Sequence, residues 1–471
     1  MTVSWNLNNW KNKLFFGDNL SVMKAFPDEL VDLVYLDPPF KSDRNYNVIF
    51  KTEDTREDSE AQIRAFDDTW HWTIQTENEY QEILEHQMAS AGLVDLLSGF
   101  IKVLGRNDAT AYLVMLSARL LEMSRLMKPT ASIYLHCDPT MSHYIKVILD
   151  QIFGLYNYRS QIIWQRYKSH GNVCKNYGAI TDVIFFYTKS NEYTWNQQYE
   201  PYDEKYIKNH FRYTTSDGKK YRLQNVLNPN KNRPNLKYEW NGHVRTWKWT
   251  RAKMQELQDK GMLYYSKSGL VSLIQFEDEK KGKKLQNLWT DIPSVQGAEK
   301  LGYDTQKPLR LLTRIVETSS NEEDLVLDPF CGCGTAVDAA QSTKRRWLGI
   351  DITHLAITLI KYRLQEKHGS SCVYEVHGEP VDVCSARELA QIDRMNFQIW
   401  ACGLIGAKPR EKKGADKGID GYLYFYEDNR SISKAVVQVK SGHVKSGDIR
   451  DLKGTIQREN VPIGIFITLE S

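Results

Sequence analysis

Short apolar runs, each closed by a polar turn, alternate with helix-spaced segments along the first 190 residues. Residues 14–16 predict a short strand, Gly17-Asp18 a turn, 19–26 a helix, and 31–36 a strand whose branched and aromatic residues suit burial on both faces. Residues 51–91 are polar, acidic and aromatic, and predict a loop with a peripheral helix. Apolar positions at helical spacing over 113–127 stop before Lys128-Pro129. A strand at 132–135 follows, closed by His136-Cys137-Asp138-Pro139, then a helix at 142–153 and strands at 160–164 and 182–187. His136 and Asp138 are expected to cap the end of their strand. This order of strands and helices opens an α/β sheet.

The pattern lapses over the middle of the chain and resumes near Gln306. Lys307-Pro308 opens a helix, 324–327 forms a strand, and Asp328-Pro329-Phe330-Cys331-Gly332-Cys333-Gly334-Thr335 turns tightly into the next helix. A strand at 346–350 then ends at Asp351. Strand, glycine loop, helix, strand and acid is an arrangement that binds a nucleoside-bearing cofactor: glycines admit the ligand to the backbone, and the acid takes ribose hydroxyls. The loop lacks the third glycine of a dinucleotide fingerprint and the Gly-Lys-Ser/Thr of a phosphate loop. A cofactor with ribose and no phosphate fits what remains. The 31–36 strand ends in Asp37-Pro38-Pro39-Phe40, where the prolines give a stiff backbone that donates no hydrogen bonds and leaves carbonyls to accept them.

Composition changes this picture in one place. With 41% hydrophobic and 26% charged residues, no apolar run of membrane-spanning length and no leader-like N-terminus, the 471-residue chain is expected to be a cytoplasmic protein of several domains. Its seven scattered cysteines suggest neither a disulfide framework nor a zinc site. The net charge of +3, however, conceals a segment, 159–260, with 19 Lys/Arg against 9 Asp/Glu. Trp164, Tyr167, Tyr177, Trp195, Tyr199, Tyr213, Tyr221, Trp240, Trp247 and Trp249 are interleaved with those bases, a mixture that suits a polyanion carrying stackable bases.

The DPPF stretch, the DPF-C-G-C-G loop, Asp351 and TQKP at 305–308 together resemble the amino-group DNA methyltransferases that use S-adenosylmethionine. The order matches the class with the DPPF half first, a target recognition region in the middle and the glycine-loop half last. The resemblance covers roughly 14–365. It implies a Rossmann-like α/β sheet with an inserted α+β recognition region: 1–190 as catalytic half, 191–300 as recognition region, 301–375 as cofactor half. It also implies the site. Phe330, Gly332 and Gly334, with Pro329 and Thr335 in the same loop, would shape the methionine side of the cofactor pocket, with Asp328 near the amino group. Asp351 would hold the ribose, Gly17-Asp18 would serve the adenosine end, and Lys307 would help close the site. Asp37 and the Pro38 carbonyl, on the stiff Pro38-Pro39 backbone, would accept both hydrogens of a target amine and aim its lone pair at the methyl group. Phe40 would stack on a base flipped from double-stranded DNA. Aspartate at the first position favours N6 of adenine; N4 of cytosine is the alternative.

The tail reads differently. After a linker near 376–385 and a helix at 387–405, Asp420 followed by Gln438-x-Lys440 resembles the Mrr-like branch of restriction nucleases, expected over 386–471 as a smaller α/β domain. In that branch an aspartate and a main-chain carbonyl hold magnesium while lysine assists the attacking water. Gln398 stands where such nucleases often carry glutamate, and the sequence ends at Ser471 directly after the strand GIFITLE, where later family elements would follow. Both departures favour a degenerate DNA-holding module, or an incomplete domain, over active cleavage. A restriction nuclease regulated by its cofactor-binding part is the alternative reading of the whole chain, and a homodimer or a restriction partner is expected.

Overall fold

The structure is a computed structural model that describes residues 5, 10–39, 71–86, 88–169, 175, 177–277, 282–301, 303, 305–410, 418–426 and 432–469. The chain separates into two units, one of Gln197–Gln286 and one of everything before and after it. The larger unit is built on a nine-stranded sheet. Its strands are β1 (Asn12–Phe16), β2 (Val31–Leu36), β3 (Met127–Cys137), β4 (Tyr158–Gln165), β5 (Thr181–Thr188), β6 (Leu288–Trp289), β7 (Leu325–Asp328), β8 (Arg346–Asp351) and β9 (Tyr374–His377). They lie in the order β6-β4-β5-β3-β2-β7-β8-β1-β9. β5 is antiparallel to both its neighbours and every other pairing is parallel. Helices cover both faces of a parallel sheet, which is why β2, β7 and β8 are near-continuous apolar runs with almost every residue buried.

Strand order reverses between β2 and β7. The chain leaves β7 through the helix Thr335–Ser342 to β8 on one side, and leaves β2 for β3 on the other. Adjacent parallel strands whose connections diverge leave a crevice at their carboxyl ends, and ligands of such sheets bind there. Register places Val326 beside Leu33 and Leu327 beside Val34, so Asp328 and Asp37 arrive at the same end of the sheet.

Several boundaries differ from the sequence reading. The helix expected at 142–153 begins at Pro139, because Asp138 accepts from Met141 N–H (3.2 Å) and proline suits the first turn. The helix expected from 113 begins at Asp108, where Asn107 and Thr110 form a reciprocal cap. The linker expected at 376–385 overlaps β9, which adds a strand beside β1, and the helix Val383–Ile392. The single helix expected at 387–405 is two, because extended Asp393 (φ −148°) re-caps a second one, Arg394–Leu404, at Met395 and Asn396.

In the unit Gln197–Gln286, a four-stranded antiparallel sheet and a hairpin, Lys237–Trp240 with His243–Thr246, enclose a small core. Asn241 and Gly242, both at positive φ, make the hairpin's two-residue turn. Trp240 and Trp247 belong to that core with Met254, Val271 and Leu273.

In the tail, strand Ile432–Lys440 lies between Gly421–Tyr426, antiparallel, and Ile463–Thr468, parallel. Alternation sends Val437 and Val439 to the core of helix Arg394–Leu404, and Val436 to that of helix Ser446–Glu459. No helix among the described residues is long and apolar enough to cross a membrane.

Candidate active site

The loop from Asp328 to Thr335 is shaped by two left-handed glycines. Gly332 (φ +51°) would, with a Cβ, come within 3.0 Å of Tyr303, and Gly334 (φ +76°) within 2.6 Å of Ile360 Cγ1. Neither position has room or a backbone suited to a larger residue. The loop is tied to β8 on both sides: Cys331 N–H donates to the Ile350 carbonyl (3.0 Å), and Gly332 N–H to Asp351 Oδ2 (2.8 Å). Thr353 donates to Asp351 Oδ1 through its N–H and its hydroxyl, each at 2.9 Å. Burial outweighs these donors and pushes the Asp351 carboxyl up to about 6. Asp328, 4% exposed, is pushed well above the carboxylate range by burial, with the charges of Asp37 and Asp351 adding to it; Phe330 N–H (3.0 Å) and Lys307 oppose the shift.

Gly17 N–H donates to the Asp351 carbonyl (3.0 Å), which sets the Gly17-Asp18 turn beside that acid. Asp18 caps the helix Asn19–Lys24 through Ser21 and accepts from Arg119 Nη2 (2.7 Å). Although burial works the other way, Arg119 and Ser21 hold the Asp18 carboxyl below its ordinary range. Arg119 also donates to Asn19 Oδ1 (2.6 Å), and Asn19 donates to the Pro329 carbonyl (2.8 Å). Arg119 and Asn19 thus brace the glycine loop from behind. The sequence reading missed them, and the only signal was an arginine set among Ala118, Leu120 and Leu121 in its helix. Thr335, the first residue of its helix, accepts from buried Arg363 (2.9 Å), and Phe330 packs on the main core.

Asp37 leaves β2 at this same edge, with Pro38 and Pro39 after it; Phe40 lies outside the described residues. Lys307 is almost fully buried and its ammonium forms an ion pair with Asp37 Oδ2. A residue expected at the cofactor pocket thus meets the acid of the DPPF stretch directly. Asp138 caps a helix, as described above, but His136 caps nothing: its ring is buried between the Tyr35 hydroxyl and Asp182.

In the tail, Asp420 Oδ2 accepts from Val439 N–H (2.7 Å), which brings it beside Gln438. Gln438 Oε1 is buried with no hydrogen-bond partner among the described residues. Lys440 Nζ lies 3.4 Å from Asp448 Oδ1, and Gln398 is half-buried on the helix Arg394–Leu404. No cluster of three or more acidic, histidine or cysteine side chains suited to a metal occurs among the described residues.

A family profile described as DNA methylase matches residues 31–362, spanning Asp37, the glycine loop and Asp351. The chain belongs to the DNA methylase family. A second profile, described as restriction endonuclease, matches the tail at 394–471. The type II methyltransferase M.EcaI of Enterobacter cloacae is 28% identical over 259 residues, covering 54% of this chain and 57% of that protein. The Mod subunit of the type III restriction-modification enzyme StyLTI of Salmonella typhimurium is 25% identical over 363 residues, 72% of this chain and 51% of its own length. The chain therefore spans little more than half of the length of these curated relatives. The solved cytosine-N4-specific PvuII DNA methyltransferase aligns over 82% of this chain and 93% of its own at 10% identity, with a TM-score of 0.38, too low to compare sites.

Proposed function

We propose that the protein transfers a methyl group from S-adenosylmethionine to the exocyclic N6 amine of adenine in double-stranded DNA, in a restriction-modification setting. The observation that carries this reading is the convergence of Asp37 with Asp328, Asp351 and the glycine loop at the crevice between β2 and β7. The residues fit the cofactor. A buried carboxyl pushed far above its ordinary range, as Asp328 is, gains most from a cation, and the methionine part of this cofactor carries an ammonium. Asp351 is suited to ribose hydroxyls, and Gly332 and Gly334 keep the backbone open to a ligand. When bound, the cofactor supplies a methyl group on a sulfonium sulfur.

Asp37 would accept one hydrogen of the amine and the Pro38 carbonyl the other, turning the nitrogen lone pair toward the methyl. A carboxylate offers about four lone-pair directions, so Lys307 on Oδ2 leaves others for the amine. Phe40 would stack on the flipped base, whose removal from the duplex costs a few kcal/mol. The family takes in N6-adenine and N4-cytosine enzymes, and the aspartate of the DPPF stretch supports adenine. The unit Gln197–Gln286, with its share of the basic and aromatic segment, would position the DNA. Incubation with radiolabelled cofactor and unmethylated DNA, then digestion to nucleosides, tests this. Label is expected on deoxyadenosine and is lost in Asp37→Ala; label on deoxycytidine sinks the adenine assignment.

For the tail, the unpartnered Gln438 oxygen beside Asp420 supports a second reading: a magnesium-dependent nuclease module in which Asp420 would hold the ion and Lys440 would assist the attacking water. Magnesium-dependent cleavage that persists in Lys440→Ala would remove that assignment.

A further inference from the structure

The sheet edge that carries Asp37 also carries a buried polar chain that methyl transfer, as described above, leaves unused. Tyr35 is paired with Tyr134 across β2 and β3, and residues two apart on a strand share a face, so alternation puts Tyr35, Asp37 and His136 on one side of the sheet. Tyr35 Oη lies 3.1 Å from His136 Nδ1, and His136 Nε2 lies 3.0 Å from Asp182 Oδ2. Arg166 Nε lies 3.1 Å from Asp182 Oδ1, an ion pair too bent for a hydrogen bond. His136 and Asp182 are wholly buried, and Tyr35 nearly so. These residues come from β2, β3, β5 and the position directly after β4, so four elements converge.

Buried ionic chains of this kind are weak evidence for stability, because apolar replacements are often neutral or stabilising. What this one fixes is the direction of its protons. Burial pushes the Asp182 carboxyl up, yet His136 and Arg166 hold it below its ordinary range, so it is ionised, with Oδ2 accepting from His136 and Oδ1 facing the Arg166 charge. Arginine can only donate. His136 therefore donates from Nε2 to Asp182, and a ring that carries its single hydrogen there leaves Nδ1 to accept from the Tyr35 hydroxyl. Burial first, and then the nearby charges of Asp37, Asp328 and Asp182, push the Tyr35 hydroxyl well above its ordinary value. It keeps its hydrogen, and only the direction of that hydrogen is left to choose.

We propose that Arg166, Asp182 and His136 are positioning residues that turn the Tyr35 hydroxyl hydrogen away from Asp37, so that Asp37 stays free to accept from the target amine. This rests on the assignment of Asp37 as the amine acceptor. The substitution Asp182→Asn keeps the shape and reverses the chain. Facing a donor-only Arg166, the new amide turns its oxygen there and its NH2 toward His136 Nε2, which must then accept. The ring proton moves to Nδ1, Tyr35 accepts from it, and the hydroxyl hydrogen is released toward the carboxylates. The same tautomer logic applies wherever an aspartate orients a catalytic histidine.

The test measures DNA methylation and cofactor binding on the full chain. Asp182→Asn is expected to lower kcat at least tenfold while KM for DNA and the cofactor Kd stay within about twofold. Adding Arg166→Met, which lets the amide oxygen face His136 again, is expected to recover most of the loss. In the Tyr35→Phe background, where there is no hydroxyl to redirect, Asp182→Asn is expected to change nothing. Wild-type kcat in Asp182→Asn, or equal losses in both backgrounds, overturns the proposal. If Asp182→Asn fails to bind cofactor, His136→Leu makes the same comparison, since it also frees the hydroxyl. Activity that survives Asp37→Ala overturns the acceptor assignment instead, whereas an inactive Asp37→Ala beside an unaffected Asp182→Asn fails the positioning chain alone.

Discussion

Asp351 and Asp328 are carboxyls held out of water where two left-handed glycines bring the backbone close, and their protonation is the most direct handle on the proposed cofactor site. Burial pushes the Asp351 carboxyl up to about 6, against an ordinary 3.8. Because its folded-state value is raised, the stability it contributes is present below the ordinary carboxylate range and lost as pH rises through about 6. A ligand whose hydroxyls or ammonium bind the ionised form shows the opposite trend. S-adenosylmethionine is therefore expected to bind about tenfold more weakly at pH 5 than at pH 7.5, with the thermal stabilisation it confers growing over the same range. Calorimetric titration at the two pH values checks this, and an affinity independent of pH would remove Asp351 from the binding site. At this scale the sequence was legible wherever a residue's position follows from its place at a strand end or in a glycine turn. It was silent on the ion pair of Lys307 with Asp37, whose partners are 270 residues apart.

The helix His354–His368 links two parts of the molecule. Its N-cap, Thr353, holds Asp351, and further along Thr358 Oγ1 would lie 2.9 Å from a Cβ placed on Gly403 of the tail helix Arg394–Leu404. Glycine therefore sets how closely the two helices approach. Gly403→Val is expected to destabilise the protein by about 1–3 kcal/mol through overpacking, and Thr358→Ala to recover part of that. Thermal melts of the single and double variants measure it; an unchanged Tm in Gly403→Val would mean that the helices do not meet there. The elements that escaped the sequence reading share a cause. β9 is four residues long and pairs with β1 (Asn12 with Tyr374), so nothing local marks it as a strand. The tail helix was read as continuous because its apolar spacing runs through Asp393, and the break lies in that one residue's backbone.

Across the whole molecule, positive charge is concentrated in a segment that contains most of the unit Gln197–Gln286, apart from the glycine loop and its acids. On the proposal that the unit Gln197–Gln286 positions the DNA, replacing 197–286 by a flexible linker should leave cofactor binding within about threefold and abolish site-specific methylation. Equilibrium binding and the nucleoside-labelling assay measure the two halves of that statement, and methylation that survives the replacement would contradict it. DNA affinity of the intact chain should fall steeply with salt, since phosphate contacts by Lys and Arg release counterions. The sequence by itself determined the α/β class, the DPPF and glycine-loop stretches and the charged middle, because strand burial, turn chemistry and charge are written in neighbouring residues. The tertiary structure alone decided that β2 and β7 lie side by side, that Lys307 meets Asp37, that Arg119 braces the loop through Asn19, and that Tyr35, His136 and Asp182 form one chain. Each of these joins residues far apart in sequence, and such contacts follow from the order in which strands pack, which no local pattern encodes.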